Sequence, residues 1–155
     1  LVERARHAVL DFFNAAGYTA IFTLNASGAL KHVGECFPFA QGSRLLLAFD
    51  NHNSVNGIRE FAAARGARFD YAPITVPDLR LDREALATLL AGADSGQPNL
   101  FAFPAQSNFS GVKHPLGLIA EAQAAGWHVL LDAAAFVPTN RLDLQEVRPE
   151  FVTLS

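Results

Sequence analysis

Short, nearly continuous apolar runs alternate along the chain with stretches in which apolar side chains recur every three or four positions. Val2, Ala5, Val9, Phe12 and Phe13 share one face at helical spacing, and Asn14 and Gly17 close the stretch, which predicts an amphipathic helix over Leu1–Phe13. Tyr18–Thr23 is β-prone and predicts a strand, followed by a turn over residues 24–28 and a helix over Ala29–Cys36. The same alternation continues with strands over Leu45–Phe49, Arg68–Ala72, Asn99–Phe103, His128–Leu131 and Phe151–Leu154. Helices over Val55–Ala64, Asp82–Leu90 and Leu116–Ala125 fall between them. Apolar strands joined by helices are the pattern of a parallel sheet buried on both faces, so the fold class is α/β, a three-layer, mostly parallel sheet flanked by helices. The polar stretch Gly92–Pro98 is too short for an interdomain linker, and no repeat or boundary interrupts the pattern. The chain reads as one domain or part of one.

Composition narrows the class. With 155 residues, half of them hydrophobic, the chain can bury a real core and is not a disordered segment. No apolar run approaches the roughly 20 residues of a spanning helix, and Leu1–Arg6 lacks a signal-peptide layout, so a cytoplasmic protein is expected. A net charge of −3 with scattered basic residues gives no footprint for nucleic acid or an anionic membrane. The single cysteine, Cys36, has no disulfide partner and no metal-ligand spacing; its apolar neighbours predict a small core residue. The histidines His7, His32, His114 and His128 share no ligand spacing either and read as surface or half-buried residues, so no metal is assigned. The chain has no Met, starts on Leu within a helix and stops at a strand end. It is expected to be an internal piece with apolar surface exposed at both ends.

In open parallel sheets ligands bind beyond the carboxyl ends of the strands, so polar residues just after each apolar run are the candidates. Ser27 and Gly28 open a helix behind a strand, where free amides and the helix dipole favour an anion such as phosphate; Ser27 equally fits a plain N-cap. His52, in the polar cluster Asp50–Ser54, fits either a capped turn or a ring lying against a flat ligand and moving protons. Asn108 can shape the turn that ends at Gly111 or donate to a bound group. Asp132 ends a buried run and precedes three alanines, a costly place for a carboxylate unless a cation pairs with it. It fits an N-cap, or the partner of a protonated ring nitrogen of the kind a pyridoxal cofactor uses as its electron sink. Ser155 stands after the last run. A triad of Ser27, His52 and Asp132 is disfavoured, because no G-x-S-x-G elbow is present.

Four strings carry a resemblance. FTLNASGALKHVGECFP from Phe22, NHNSVNGIRE from Asn51, NLFAFPAQSNFSG from Asn99 and VLLDAAA from Val129 resemble the class V aminotransferase-like pyridoxal-phosphate enzymes, and within them the molybdenum cofactor sulfurase branch of the cysteine desulfurases. The second and third strings are the specific ones. The resemblance implies the large domain of a fold type I enzyme, incomplete here, with pyridoxal phosphate as cofactor. Its phosphate loop falls on Ser27 and Gly28, where sulfurases more often show Thr then Ala. The ring-stacking histidine falls on His52, the amide bonding the ring oxygen on Asn108, and the carboxylate pairing with the pyridinium nitrogen on Asp132. Ala135 stands where many desulfurases place a Gln.

Ser155 matches a phosphate-holding Ser that lies three residues before the lysine tethering the cofactor in the family. Neither lysine of the chain, Lys31 nor Lys113, matches that lysine, and Cys36 does not match the downstream cysteine that accepts sulfur. The chain alone is therefore expected not to turn over. The resemblance implies a parent homodimer that acts on a cysteine-like amino acid, releasing alanine and passing sulfur to a cysteine as a persulfide. Selenocysteine lyase, kynureninase-like cleavage, epimerisation or transamination remain alternatives, as does a fragment that serves only as a scaffold.

Overall fold

A computed structural model describes all residues 1–155. Its centre is set by β1 (Arg44–Ala48), β5 (Asn99–Pro104) and β6 (Trp127–Asp132), whose side chains are almost all buried on both faces. With β2 (Arg68–Ala72) and β7 (Phe151–Thr153) at the edges they form one sheet in the order β2-β1-β5-β6-β7, every pair parallel. A two-residue-per-strand hairpin, β3 (Ile74–Thr75) with β4 (Arg80–Leu81), stands apart and was not foreseen.

Alternation along each strand divides the core in two. Leu45, Leu47, Leu100, Ala102 and Leu130 face one helical layer, made by α2 (Ala26–Cys36), α3 (Asn53–Asn56) and α4 (Ile58–Ala64), through Leu30, Val55, Ile58 and Ala62. Leu46, Phe101, Phe103, Val129 and Leu131 face the other. That layer contains α5 (Arg83–Ala91), α6 (Leu118–Ala124) and the end of α1 (Val2–Phe12), through Leu86, Leu90, Leu118, Ile119 and Phe13. The chain moves outward from β1 to β2 through α3 and α4, then returns past β1 through α5 to β5 and onward. The reversal of direction with the change of face keeps each crossover right-handed. It also places the switch point between β1 and β5, the position at which open sheets of this kind bind ligands.

The expected α/β, three-layer, mostly parallel architecture is thus present, with four departures. Tyr18–Thr23 joins no sheet; it lines a groove whose other wall includes β7. α2 starts at Ala26 rather than Ala29, since the Asn25 side chain accepts the Gly28 amide and caps the helix three residues early. The helix expected over Val55–Ala64 is two pieces meeting at Gly57. Cys36 is exposed rather than in the core: it ends α2 on the solvent side, and Phe37 and Phe39 fill the interior in its place.

The groove beside β7 encloses about 600 Å³ and is lined by Leu10 and Phe13 of the α1 region, by Ile21 and Phe22, and by Phe151 and Val152. Ile21 is 71% and Phe22 52% exposed, an apolar surface of the size that binds hydrophobic dyes. Anilinonaphthalene sulfonate should therefore fluoresce on the folded chain, and Ile21→Asp with Phe22→Asp should lower that signal. Because both side chains are largely in solvent, melting should move by no more than about 0.5 kcal/mol per site. An unchanged dye signal in that variant would place the dye elsewhere.

Candidate active site

Each strand of the switch region delivers polar groups to the carboxyl edge. After β1 the chain runs Phe49-Asp50-Asn51-His52, and the Asn51 side-chain amide donates to the Ala102 carbonyl at 2.9 Å, bridging β1 and β5 just where their ladder stops. His52 then acts as the N-cap of α3: its Nδ1 accepts the Ser54 amide at 3.2 Å. A ring nitrogen that accepts carries no proton, so in the neutral imidazole the proton sits on Nε2. The turn expected at His52 therefore exists, but the cap is the histidine itself.

Ser27 lies in the first turn of α2, and its hydroxyl meets the Ser54 hydroxyl at 2.6 Å, tying this helix start to the His52 turn. Asn25, not Ser27, caps the helix, so the Ser27 side chain is not used up as a cap. The Gly28 amide, by contrast, is already given to Asn25.

Asp132 is the last residue of β6, paired in register with Pro104 on one side and Thr153 on the other. One carboxylate oxygen, Oδ1, accepts the Ala134 amide at 3.1 Å, the short-range capping pattern, while the other has no hydrogen-bond partner in the chain. Burial raises the carboxyl above its ordinary value, opposed by the Ala134 amide and electrostatically by His52. Desolvated and with one oxygen unpartnered in the chain, it is a carboxyl that a cationic partner would suit.

Asn108 sits in an exposed loop past β5, beside Phe109, and no side chain of the chain holds its amide. The loop closes on itself: Ser107 and Gly111 exchange backbone bonds with Val112 and Ser107, and the Ser107 hydroxyl accepts the Phe109 and Ser110 amides. Gly111 has φ +75, a conformation that favours glycine. Ser155 is exposed two residues beyond β7 and borders the groove, which Asn25 and Ala29 at the start of α2 also line. The fold thus brings Ser27 to the His52 turn and His52 near Asp132. Asn108 shares their edge on a separate loop, and Ser155 follows the carboxyl end of β7.

Two buried residues at this edge escaped the sequence reading. Asp50 and His114 form a pair, Nε2 to Oδ2 at 2.9 Å, with side chains only 3% and 1% exposed. His114 is therefore not a surface or half-buried residue as expected. Asp50 follows an apolar run as Asp132 does, and that shared signal could have found it; nothing in the sequence around His114 announces burial.

Comparison with known proteins places this arrangement in context. The family described as aminotransferase class V matches residues 1–155. Molybdenum cofactor sulfurase 2 of Culex quinquefasciatus is 39% identical over 165 residues, covering all of this chain and 20% of that protein. Molybdenum cofactor sulfurase of Homo sapiens is 38% identical over 171 residues, covering 99% of this chain and 19% of that protein. The apo structure of a cysteine desulfurase from Thermococcus onnurineus NA1 superposes with a TM-score of 0.86 at 25% identity, covering 99% of this chain and 38% of that one. The chain spans about a fifth of the length of the curated relatives it matches.

Proposed function

The chain belongs to the aminotransferase class V family, and from that premise we propose that it is the cofactor-holding part of a pyridoxal-phosphate enzyme taking sulfur from L-cysteine, of the molybdenum cofactor sulfurase kind. The observation that carries the reading is Asp132, a desolvated carboxylate at the strand edge with one oxygen unpartnered and His52 nearby. A pyridinium N–H is the cation such a group lacks. The kinship with sulfurases at 38–39% identity selects the sulfur chemistry within the family.

In this reading Ser27 and Ser155 would hold the phosphate beside Gly28, whose amide already serves Asn25, with the start of the eleven-residue helix α2 adding its dipole. His52 would lie against the ring, where its Nε2–H could hold or release a proton. Asn108 would donate its amide to the ring oxygen, and Asp132 would keep the ring nitrogen protonated. Bound there, the cofactor supplies an electron sink for carbanion chemistry. Lys31 pairs with Glu35 on the surface of α2, and Lys113 donates to Asn140. The whole protein would release alanine and leave the sulfur on a cysteine as a persulfide, for delivery to molybdenum cofactor. A cytoplasmic homodimer is the expected working state. No helix of the chain is long and apolar enough to cross a membrane.

Titrating the chain with pyridoxal phosphate tests the site. A saturable shift of its visible band with induced circular dichroism is expected, and His52→Ala should weaken binding by about tenfold or less. A stacked ring contributes of the order of 0.5–1.5 kcal/mol beyond buried area. Absence of any induced signal at millimolar cofactor would overturn the binding site. For the reaction, the full-length protein incubated with cysteine should yield alanine and persulfide in step; no alanine would overturn the sulfurase assignment.

A further inference from the structure

The loop carrying Asn108 is fixed at its base on two sides. On one side, His114 Nε2 meets Asp50 Oδ2 at 2.9 Å in a setting closed to solvent. An ionised carboxylate only accepts, so the imidazole proton stands on Nε2 and the bond points from the Asn108 loop to the strand end that carries His52. On the other side, Lys113 Nζ donates to Asn140 Oδ1 at 2.6 Å, and Asn140 Nδ2 donates to Gln106 Oε1 at 3.3 Å and to the Phe136 carbonyl at 2.9 Å. Residues 133–140 are the turn that follows Asp132. Backbone bonds complete the frame: the His114 amide donates to Ala105, and the Ala105 amide donates to Asp132.

We propose that Asp50 and His114 are positioning residues, a buried brace that locks the Asn108 loop to the His52 turn so that the groups facing a bound ring keep one mutual geometry. The proposal rests on the cofactor reading for its purpose but not for its existence. The pair touches no ring-facing group itself. Asp50 lies two residues before His52, and His114 closes the loop six residues after Asn108. The Asn140 network does for the Asp132 side what the brace does for the His52 side. Asn108 has no side-chain anchor of its own, so the loop base is where its position is decided.

The test uses the double variant Asp50→Leu/His114→Leu. Removing both partners leaves no unpaired buried charge, which is the change such sites tolerate best. Hydrogen exchange of the unliganded chain should rise at least tenfold for the amides of Ser54, Ser107 and Gly111, while amides in β1, β5 and β6 keep their protection. With pyridoxal phosphate, the induced circular dichroism per bound cofactor should fall at least twofold. His114→Gln, which retains a neutral donor towards Asp50, should recover most of both signals. Exchange that rises uniformly across the sheet would show a role in stability alone, and loops as protected as before would show no brace; either overturns the proposal. Should the double variant not fold, His114→Gln against His114→Asn decides, because the shorter amide cannot span the gap: equal loop exchange in the two overturns it. If the unaltered chain binds no cofactor, the cofactor reading fails while the exchange result still judges the brace.

Discussion

Asp132→Asn is expected to weaken pyridoxal-phosphate binding by about ten- to a hundredfold while raising the melting temperature of the unliganded chain. The first effect follows from losing a charge-assisted hydrogen bond, which contributes about 1.5–3 kcal/mol, where about 1.4 kcal/mol is a factor of ten. The second follows from linkage. Burial holds the folded Asp132 carboxyl above its unfolded counterpart, so the folded chain takes up the proton more readily. Its stabilising contribution is fully present below the unfolded value and is lost as pH rises through the folded value. Asn removes the desolvated charge that the carboxyl carries when ionised, while its side-chain oxygen still accepts the Ala134 amide. Melting followed by circular dichroism at pH 7 and near pH 4 checks the sign: the advantage of Asn should shrink as pH falls. A variant that melts lower at pH 7 and binds cofactor as well as the parent would sink the assignment of Asp132 as the ring-nitrogen partner. The opposed directions are what a site that sacrifices stability for function produces.

How much of this was legible in the sequence depends on which interactions are local. Continuous runs such as Leu45–Leu47 and Val129–Leu131 predicted buried parallel strands correctly, because burial on both faces leaves a mark within the run itself. Asp132 was legible for the same reason: a carboxylate closing such a run stands out. Tyr18–Thr23 has the same β-prone character yet forms no strand, since pairing needs a neighbour and propensity does not supply one. Cys36 read as core from its apolar neighbours, but the phase of α2 turns it outward while Phe37 goes in. His114 was invisible because its burial is decided by Asp50, 64 residues away in sequence. Candidate ligands at strand ends were readable one by one; the brace between them was not.

Phe103→Ala and Phe101→Ala should be nearly equal in stability and unequal in function. Both rings are fully buried on the same face of β5 and stack with centroids 5.0 Å apart, so either truncation leaves a cavity in the larger core and costs about 3–5 kcal/mol. For a chain of this length that lowers the melting temperature by about 6–20 °C. Their places along the strand differ. Phe101 lies opposite Leu46 and Val129 at the middle of the sheet, whereas Phe103 lies opposite Leu131, one residue before Asp132 and two before the loop base at Ala105. A void under Phe103 therefore loosens the platform from which Asp132 and the Asn108 loop project, and a void under Phe101 is absorbed within the ladder. Measured well below both melting points, Phe103→Ala should weaken pyridoxal-phosphate binding and reduce its induced circular dichroism, while Phe101→Ala should leave both near the parent values. Equal losses of binding in the two variants would mean that the carboxyl edge responds only to global stability, and the claim that the sheet holds the site in register would fall with that result.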